Sequence, residues 1–435
     1  MPRPLRRALE WWAVPDPSFL VFLVAVVLSL IRARDLPSVD VGVGGADVSL
    51  GPVDLALAAT AVLAAWRLRA RRTLPAPKLV LAGAAFALLI VVSAVANGAD
   101  ALTSAGRLSE LFALTLGAVA FVDSRDRLSE LLTLLVGFCV VAVAWGAVEF
   151  VTGGGGRQGS FLGEHDLAAL GTLALVAGLA VVHSRSGRAG AVAVTGVVAG
   201  GIAIALGASL ASLLGLYLAT AVLVALALAR RALRRTALLV TLGVVVCVTG
   251  ATLTLRSGEL GFIQEWFGPE PEQPGQYAAS WSQRLIYAYV GGRVFLDRPL
   301  LGTGWQGELP PEDFARYVPD ARERFPEQPQ PYFPDPNGTF IPQQAFDQVL
   351  FELGSVGGAL FLLIAFLAVR LALRAGLRAP PELLEHALVP IGWLAGMGGA
   401  LAGAALFGGS PLASLFWLTL GVVAAIPRLV DETCS

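Results

Sequence analysis

The stretch "LSELLTLLVGFCVVAVAWGAVEFV", residues 128–151, is the clearest indication of how this chain folds. Between Glu130 and Glu149 it carries no charged side chain, and an apolar helix of that length can cross the hydrocarbon core of a bilayer. Similar runs recur along the 435 residues, of which 56% are hydrophobic and only 14% charged. Soluble domains usually contain about 25% charged residues. The sequence therefore predicts an all-α polytopic membrane protein.

About twelve segments have the length and composition of transmembrane helices. Their approximate limits are 18–32, 51–66, 79–96, 108–122, 128–151, 167–183, 191–207, 209–229, 236–255, 345–369, 387–406 and 412–426. These segments divide the chain into an N-terminal helical region, a long loop and a C-terminal helical region. The predicted boundaries of the three parts are 1–255, 256–344 and 345–435.

The basic residues predict the orientation of the chain in the membrane. Segments such as "RLRARR" (67–72) and "RRALRR" (230–235) alternate with short loops that are poor in Lys and Arg. Because short basic loops remain on the cytoplasmic side, we expect both termini in the cytoplasm and the 256–344 loop outside. The formal net charge of −1 carries no argument for nucleic acid, and we expect no nucleic-acid partner.

The long loop differs from the rest of the chain in composition. It contains 13 of the 26 prolines and 12 acidic residues. Within it, "SQRLIYAYVGGRVFLD" (282–297) places apolar residues at helical spacing. We expect this amphipathic segment to lie on the membrane surface.

A polar stripe follows this loop, where the tenth span begins. Gln344, Gln348 and Glu352 are spaced by four residues, and Asp347 lies beside them on the same helical face. A carboxylate within the bilayer costs about 2.5–3.5 kcal/mol on insertion scales. We therefore expect the stripe to line an outward-facing cavity. The alternative is a helix end at headgroup depth, with Glu352 capped by an arginine or by backbone.

Two further segments carry candidate site residues. Arg284 begins the amphipathic segment, and a guanidinium is suited to forked contacts with phosphate. In "GGGGRQGSFLGEHDLAALG" (153–171), Arg157 is the only basic residue, and His165 is the one histidine predicted outside. The alternative for the adjacent His–Asp pair is a simple helix N-cap.

Three motifs, taken in their order along the chain, resemble those of the O-antigen ligase and polymerase-like membrane proteins. They are "RQGSFLGEHDLAAL" (157–170), "SQRLIYAYVGGRVFLDRPLLGTGWQG" (282–307) and "QQAFDQVLFELGSVGG" (343–358), and the resemblance covers about residues 130–370. It implies a C-type glycosyltransferase-like fold of the bacterial cytoplasmic (inner) membrane. It also implies transfer of a glycan from undecaprenyl pyrophosphate to an acceptor glycan or lipid at the outer face, with no metal and no other cofactor.

The resemblance assigns roles to particular residues. Arg284 would bind the pyrophosphate, and Arg157 would substitute for a second family arginine whose place is taken by Leu210. An outer-loop histidine is the family's proposed base, but Gln343 stands at that position here. The catalytic candidates are therefore Asp347, His165 and, at the histidine position, Gln343, although a neutral amide cannot act as a base near pH 7.

Three functions remain open from the sequence. The first is a divergent glycan ligase or polymerase. The second is an accessory protein that keeps the fold and binds lipid-linked glycan but has lost the reaction, as the missing histidine and arginine suggest. The third is a transporter, which predicts internal repeats and broken spans in matching positions. No such repeat is present in the sequence.

Overall fold

The structure is a computed structural model that describes residues 16–43, 46–153, 155–184, 190–256, 278–306, 311–334 and 344–431. Most of these residues are helical. The α-helices, numbered along the chain, are α1 Pro17–Ser29, α2 Pro52–Arg71, α3 Pro77–Ala94, α4 Gly98–Glu110, α5 Phe112–Phe121, α6 Arg125–Thr152, α7 Glu164–His183, α8 Ala191–Gly207, α9 Leu210–Ala229, α10 Arg235–Leu255, α11 Ala278–Asp297, α12 Pro311–Arg324, α13 Ala345–Arg378, α14 Leu384–Leu401 and α15 Pro411–Asp431. A two-stranded antiparallel hairpin, β1 Val39–Val43 and β2 Ala46–Leu50, connects α1 to α2.

A helix occupies each of the twelve predicted segments. Among the described residues, seven helical segments are long and apolar enough to cross a membrane, and α1 and α8 are shorter apolar helices. One of the seven is the 45-residue run Pro77–Phe121, in which the sequence predicts two spans. The structure thus agrees with a polytopic all-α membrane protein, while the number of crossings remains a prediction.

The centre of the bundle is formed by α7 and α15. In their apolar windows 78% and 89% of the residues are buried, against 17% in α10. Glycines allow the close packing of α7 against α8, since a Cβ on Gly171 or Gly200 would meet the backbone of the opposite helix at 2.8 or 2.4 Å. Small residues at helix interfaces serve the same purpose in membrane bundles generally. By contrast, the burial pattern leaves most of α10 on the outside of the bundle.

One end of the bundle is joined by ion pairs, here called the Asp123 cluster. It consists of Asp16 before α1, Arg67 and Arg71 of α2, Asp123 between α5 and α6, and Arg127 of α6. Arg67 reaches Asp16 at 2.5 Å and Asp123 at 2.8 Å, while Arg127 reaches the same two carboxylates at 2.9 and 3.2 Å. Arg71 also pairs with Asp123. The cluster therefore connects three helices through shared carboxylates.

Helix α13 is broken at Gly354, where the sequence predicts a continuous span. Gly354 has φ 61° and ψ −158°, a conformation open to glycine but strained for other residues. The peptide groups released by the break bond to the 299–304 turn: Ser355 N–H donates to Pro299 C=O at 2.7 Å, and Gly304 N–H donates to Glu352 C=O at 2.8 Å. A broken helix is tolerated at membrane depth only where such partners exist.

The 299–304 turn is also held from its other side. The Asn97 amide donates to the carbonyls of Thr303 and Trp305 at 3.2 and 3.1 Å, and Trp305 N–H donates to the Ser93 hydroxyl at 3.2 Å. Trp305 is fully buried. This turn, predicted as part of an outer loop, is thus inserted between the end of α3 and the break in α13.

The amphipathic segment predicted at 282–297 is helical and belongs to α11. Ile286, Val290 and Val294 pack with residues of α12 in a small separate core, while Leu285 and Leu296 are exposed on other faces. The pattern confirms the amphipathic helix. Its location on the membrane surface remains a prediction.

Candidate functional site

The first turn of α7 directs three consecutive side chains to three different parts of the fold. Glu164 pairs with Arg157 at 2.5 Å, His165 Nδ1 lies 3.1 Å from the Ser209 hydroxyl, and the Asp166 carboxylate accepts from Leu412 N–H at 2.8 Å. Asp166 therefore supports the start of α15 instead of capping its own helix, where Gly163 is the N-cap residue. The interpretation of the His–Asp pair as a simple N-cap is wrong.

The connection between α8 and α9 is the centre of the site. Arg157 Nε donates to Gly207 C=O at 3.4 Å, and Arg256, which follows α10, donates to Ala208 C=O at 3.1 Å. The next residue is Ser209, which is buried and contacts His165. Two guanidinium groups and the imidazole thus meet at three consecutive residues, although they come from distant segments of the chain.

Arg284 of α11 completes the group, here called the His165 site: His165, Ser209, Arg157, Arg256 and Arg284. The charges of all three arginines act on the His165 imidazole. Burial, together with the charges of Arg256 and Arg157, lowers the pKa of Arg284 below its ordinary value. The structure therefore brings together the predicted residues Arg157, His165 and Arg284.

Arg284 has an incomplete set of hydrogen bonds. One terminal nitrogen donates to Gly403 C=O at 3.3 Å, and Nε is buried without a partner among the described residues. A guanidinium held by a neutral carbonyl keeps its full charge, since no carboxylate of the described residues compensates it. A phosphate or pyrophosphate is the kind of ligand that such a group binds through paired hydrogen bonds.

Arg256 is a site residue that the motifs did not identify. The resemblance places a second arginine at Leu210, which here begins α9. The Arg256 side chain reaches the carbonyl of Ala208, two residues before that position. The signal available in the sequence was the location of Arg256 directly after the ninth predicted span. This location puts Arg256 on the predicted outer side of the membrane, as it does Arg157.

The polar stripe at the start of α13 is less open than the sequence suggested. Gln344 is the N-cap residue of α13 and Asp347 is half-buried, with no hydrogen bond or ion pair recorded from its carboxylate to another described residue. Gln343 lies outside the described residues. The Asp347 carboxylate is also absent from the charges that act on His165 and Arg284 in the described structure.

The two deeper residues of the stripe are buried. Gln348 donates to Leu406 C=O at 3.0 Å and accepts from Leu406 N–H at 2.8 Å. Glu352 is 3% exposed, and its carboxylate interacts with the Gln348 amide and the Gln306 backbone N–H. The alternative in which backbone caps Glu352 therefore agrees with this contact. In this structure Gln348 and Glu352 contact protein groups, and their role as cavity lining remains a prediction.

The fold and this site define a class: a multi-pass membrane protein with a cationic site at one end of its bundle. The family model described as O-antigen ligase matches residues 195–362 of the chain. The matched segment includes Ser209, Arg256 and Arg284, while Arg157 and His165 precede it. A comparison with curated proteins returns no match.

Proposed function

We propose that this protein transfers or polymerises a glycan carried on undecaprenyl pyrophosphate, with an acceptor hydroxyl at the outer face of the cytoplasmic membrane. The observation that carries the proposal is that Arg157 and Arg256 bond to Gly207 and Ala208, next to the contact between Ser209 and His165, while the charge of Arg284 also acts on His165. The match of residues 195–362 to the O-antigen ligase family model supports glycan transfer in a membrane. The apolar helices around the site are consistent with a donor that is anchored in lipid.

The arginines have a defined task in this reaction. When the bond between the sugar C1 and the phosphate oxygen breaks, undecaprenyl pyrophosphate leaves with additional negative charge. Guanidinium groups that are already in place stabilise this charge without reorganising. Arg284 is the principal candidate because its Nε lies buried without a partner in the described structure. Arg157 and Arg256 supply further positive charge beside it.

His165 is the preferred base. Its Nδ1 lies 3.1 Å from the Ser209 hydroxyl, so that donation from Nδ1 would leave the Nε2 lone pair for the acceptor. Burial, and after it the charges of the three neighbouring arginines, favour a neutral imidazole, which is the form that accepts a proton. The acceptor proton would pass to Nε2 as the acceptor oxygen bonds to C1 and the pyrophosphate leaves.

The test is transfer by the purified protein in nanodiscs, with an undecaprenyl-pyrophosphate-linked glycan as donor. Variants Arg284→Ala, His165→Ala and Asp347→Asn should be compared with the wild type. Loss of transfer in the first two and its retention in the third is the expected result. Undiminished transfer by both Arg284→Ala and His165→Ala would refute the proposal.

A second candidate function is binding of lipid-linked glycan without turnover. It is favoured by one observation: Gln343 and Gln344 stand where the resemblance places His and Asn. In that case wild-type protein would bind undecaprenyl pyrophosphate with an affinity that depends on Arg284, yet no product would form with any acceptor. The same nanodisc preparation distinguishes the two functions.

A further inference from the structure

The segment between α14 and α15 connects the buried polar stripe to the His165 site. Gly403 in this segment accepts the hydrogen bond from Arg284 at 3.3 Å. Three residues later, both peptide groups of Leu406 bond to the Gln348 side chain at 2.8 and 3.0 Å. Between them, Ala404 C=O accepts from Ala345 N–H at 3.1 Å. The start of α13 therefore fixes the piece of backbone that contacts Arg284.

Gln348 is suited to this task by its burial. It has no exposed surface, and its amide oxygen and nitrogen bond to the two peptide groups of one residue, much as a neighbouring strand would. Replacing this amide by an apolar side chain leaves a buried N–H and a buried C=O of Leu406 without partners, which is costly. The 403–406 backbone would then be free to shift.

Glu352 links the same amide to the inserted turn. Its carboxylate interacts with Gln348 and with the Gln306 backbone N–H, at the end of the turn that pairs with the break at Gly354. The second oxygen, Oε2, is buried without a partner among the described residues. A continuous series of contacts thus runs from the inserted turn through Glu352 and Gln348 to the 403–406 backbone, and from Gly403 to Arg284.

We propose that Gln348, supported by Glu352, is a positioning residue that holds Arg284 in the orientation needed for a forked contact with the donor pyrophosphate. This inference rests on the proposed function, because it assigns the ligand of Arg284. Neither residue touches the substrate. Both act through the Gly403 carbonyl, which sets the direction of the guanidinium plane.

The experiment measures binding of undecaprenyl pyrophosphate and of undecaprenyl monophosphate to the full-length protein in nanodiscs. Gln348→Met, which has nearly the same length without the amide, is expected to weaken pyrophosphate binding about 10-fold, because small displacements of a binding group have large effects. Binding of the monophosphate should change much less, since a forked contact matters more for the pyrophosphate. A purely structural defect would weaken both ligands equally, and that outcome would overturn the proposal.

A double-mutant cycle with Arg284→Ala gives the second readout. If Gln348 acts through Arg284, the double variant binds pyrophosphate no more weakly than Arg284→Ala alone, since coupled residues are non-additive. If the loss of affinity in the double variant equals the product of the losses in the two single variants, the proposal is contradicted. Thr419→Val is the matched control. The Thr419 hydroxyl, on α15, is buried without a partner among the described residues. This substitution should leave the binding of both ligands unchanged.

Glu352→Gln covers the case in which Gln348→Met does not fold. This substitution keeps the size of the side chain and one acceptor oxygen, so the expected loss of pyrophosphate affinity is only about 3-fold. It should also vanish in the Arg284→Ala background, and an unchanged affinity would count against the series of contacts. If Arg284→Ala itself binds pyrophosphate as the wild type does, the proposed function fails instead.

Discussion

Two groups of three arginines lie near opposite ends of α6, a helix of 28 residues and about 42 Å. In the Asp123 cluster, at the start of α6, the guanidinium groups share two carboxylates, Asp16 and Asp123. In the His165 site, beyond the other end of α6, Arg157 pairs with Glu164, whereas Arg284 donates to the Gly403 carbonyl and has no carboxylate partner among the described residues. Arg284 is thus in a different electrostatic environment from the arginines of the Asp123 cluster.

The difference indicates what each group does. An arginine that is matched by carboxylates has its charge compensated and contributes to stability. Arg284, which is held by a neutral carbonyl, is oriented but keeps its charge for a ligand. We therefore expect that removing a carboxylate from the Asp123 cluster lowers the stability of the protein. Substitutions in the His165 site should instead lower binding and turnover, with little loss of stability.

The largest effect is expected for Arg284→Ala. Transfer of glycan from undecaprenyl pyrophosphate should fall about 100-fold or more, as for the loss of a group that stabilises developing charge. The melting temperature in detergent should change little. Arg284→Lys should not restore transfer, because an ammonium group cannot make the forked contact. Full activity of the lysine variant would show that charge alone is required.

The next largest effect is expected for His165→Ala. General base catalysis contributes about 10²–10⁴-fold, so turnover should fall by at least 100-fold. Affinity for undecaprenyl pyrophosphate should be retained, since the arginines remain. Ser209→Ala is the companion variant and should give a smaller loss of turnover, because it removes only the hydrogen bond to Nδ1. Equal losses of affinity and turnover in His165→Ala would contradict the assignment of a base.

Asp123→Asn should affect the other group of arginines. Burial by itself would raise the pKa of Asp123, but the hydrogen bond from Arg71 and the charges of Arg127 and Arg67 hold it below its ordinary value. Removing this charge leaves the arginines poorly compensated, at a cost of about 2 kcal/mol in the free energy of unfolding. Thermal unfolding should detect the loss while donor affinity is unchanged. Unchanged thermal stability together with a loss of donor affinity would contradict the distinction between the two groups of arginines.

Asp16 gives a smaller, pH-dependent effect. Burial would raise its pKa, but the hydrogen bond from Arg67, with further contributions from Ser18 and Arg127, lowers it from 3.8 to about 2. Because the folded pKa lies below the unfolded one, its stabilisation is present above pH 3.8 and is lost as the pH falls towards 2. The melting temperature of Asp16→Asn should approach that of the wild type over this interval. A constant difference would contradict the ion pair.

The smallest effect is expected for Asp347→Asn. No described contact connects this carboxylate to the His165 site. Glycan transfer should therefore change by less than about 3-fold, within the range of substitutions away from reacting groups. A loss comparable to that of His165→Ala would assign the base to Asp347 and remove His165 from that role.

Much of the fold could be predicted because it depends on local properties. Long apolar runs specify helices wherever they occur, and the spacing of Ile286, Val290 and Val294 specifies an amphipathic α11. Pro299, Gly302 and Gly304 specify a turn. Arg284, Arg157 and His165 could be selected because their residue types suit the chemistry, and the structure brings them together.

The remaining features depend on contacts between distant parts of the chain. The sequence by itself determined the helical segments, the turn at 299–304 and the residue types available to the site. Only the tertiary structure decided that this turn pairs with the break at Gly354, that Gln348 binds Leu406 58 positions away, and that Arg256 donates to the carbonyl of Ala208. The physical reason is that hydrogen-bonding capacity belongs to a residue, whereas its partner is chosen by the packing of the whole bundle.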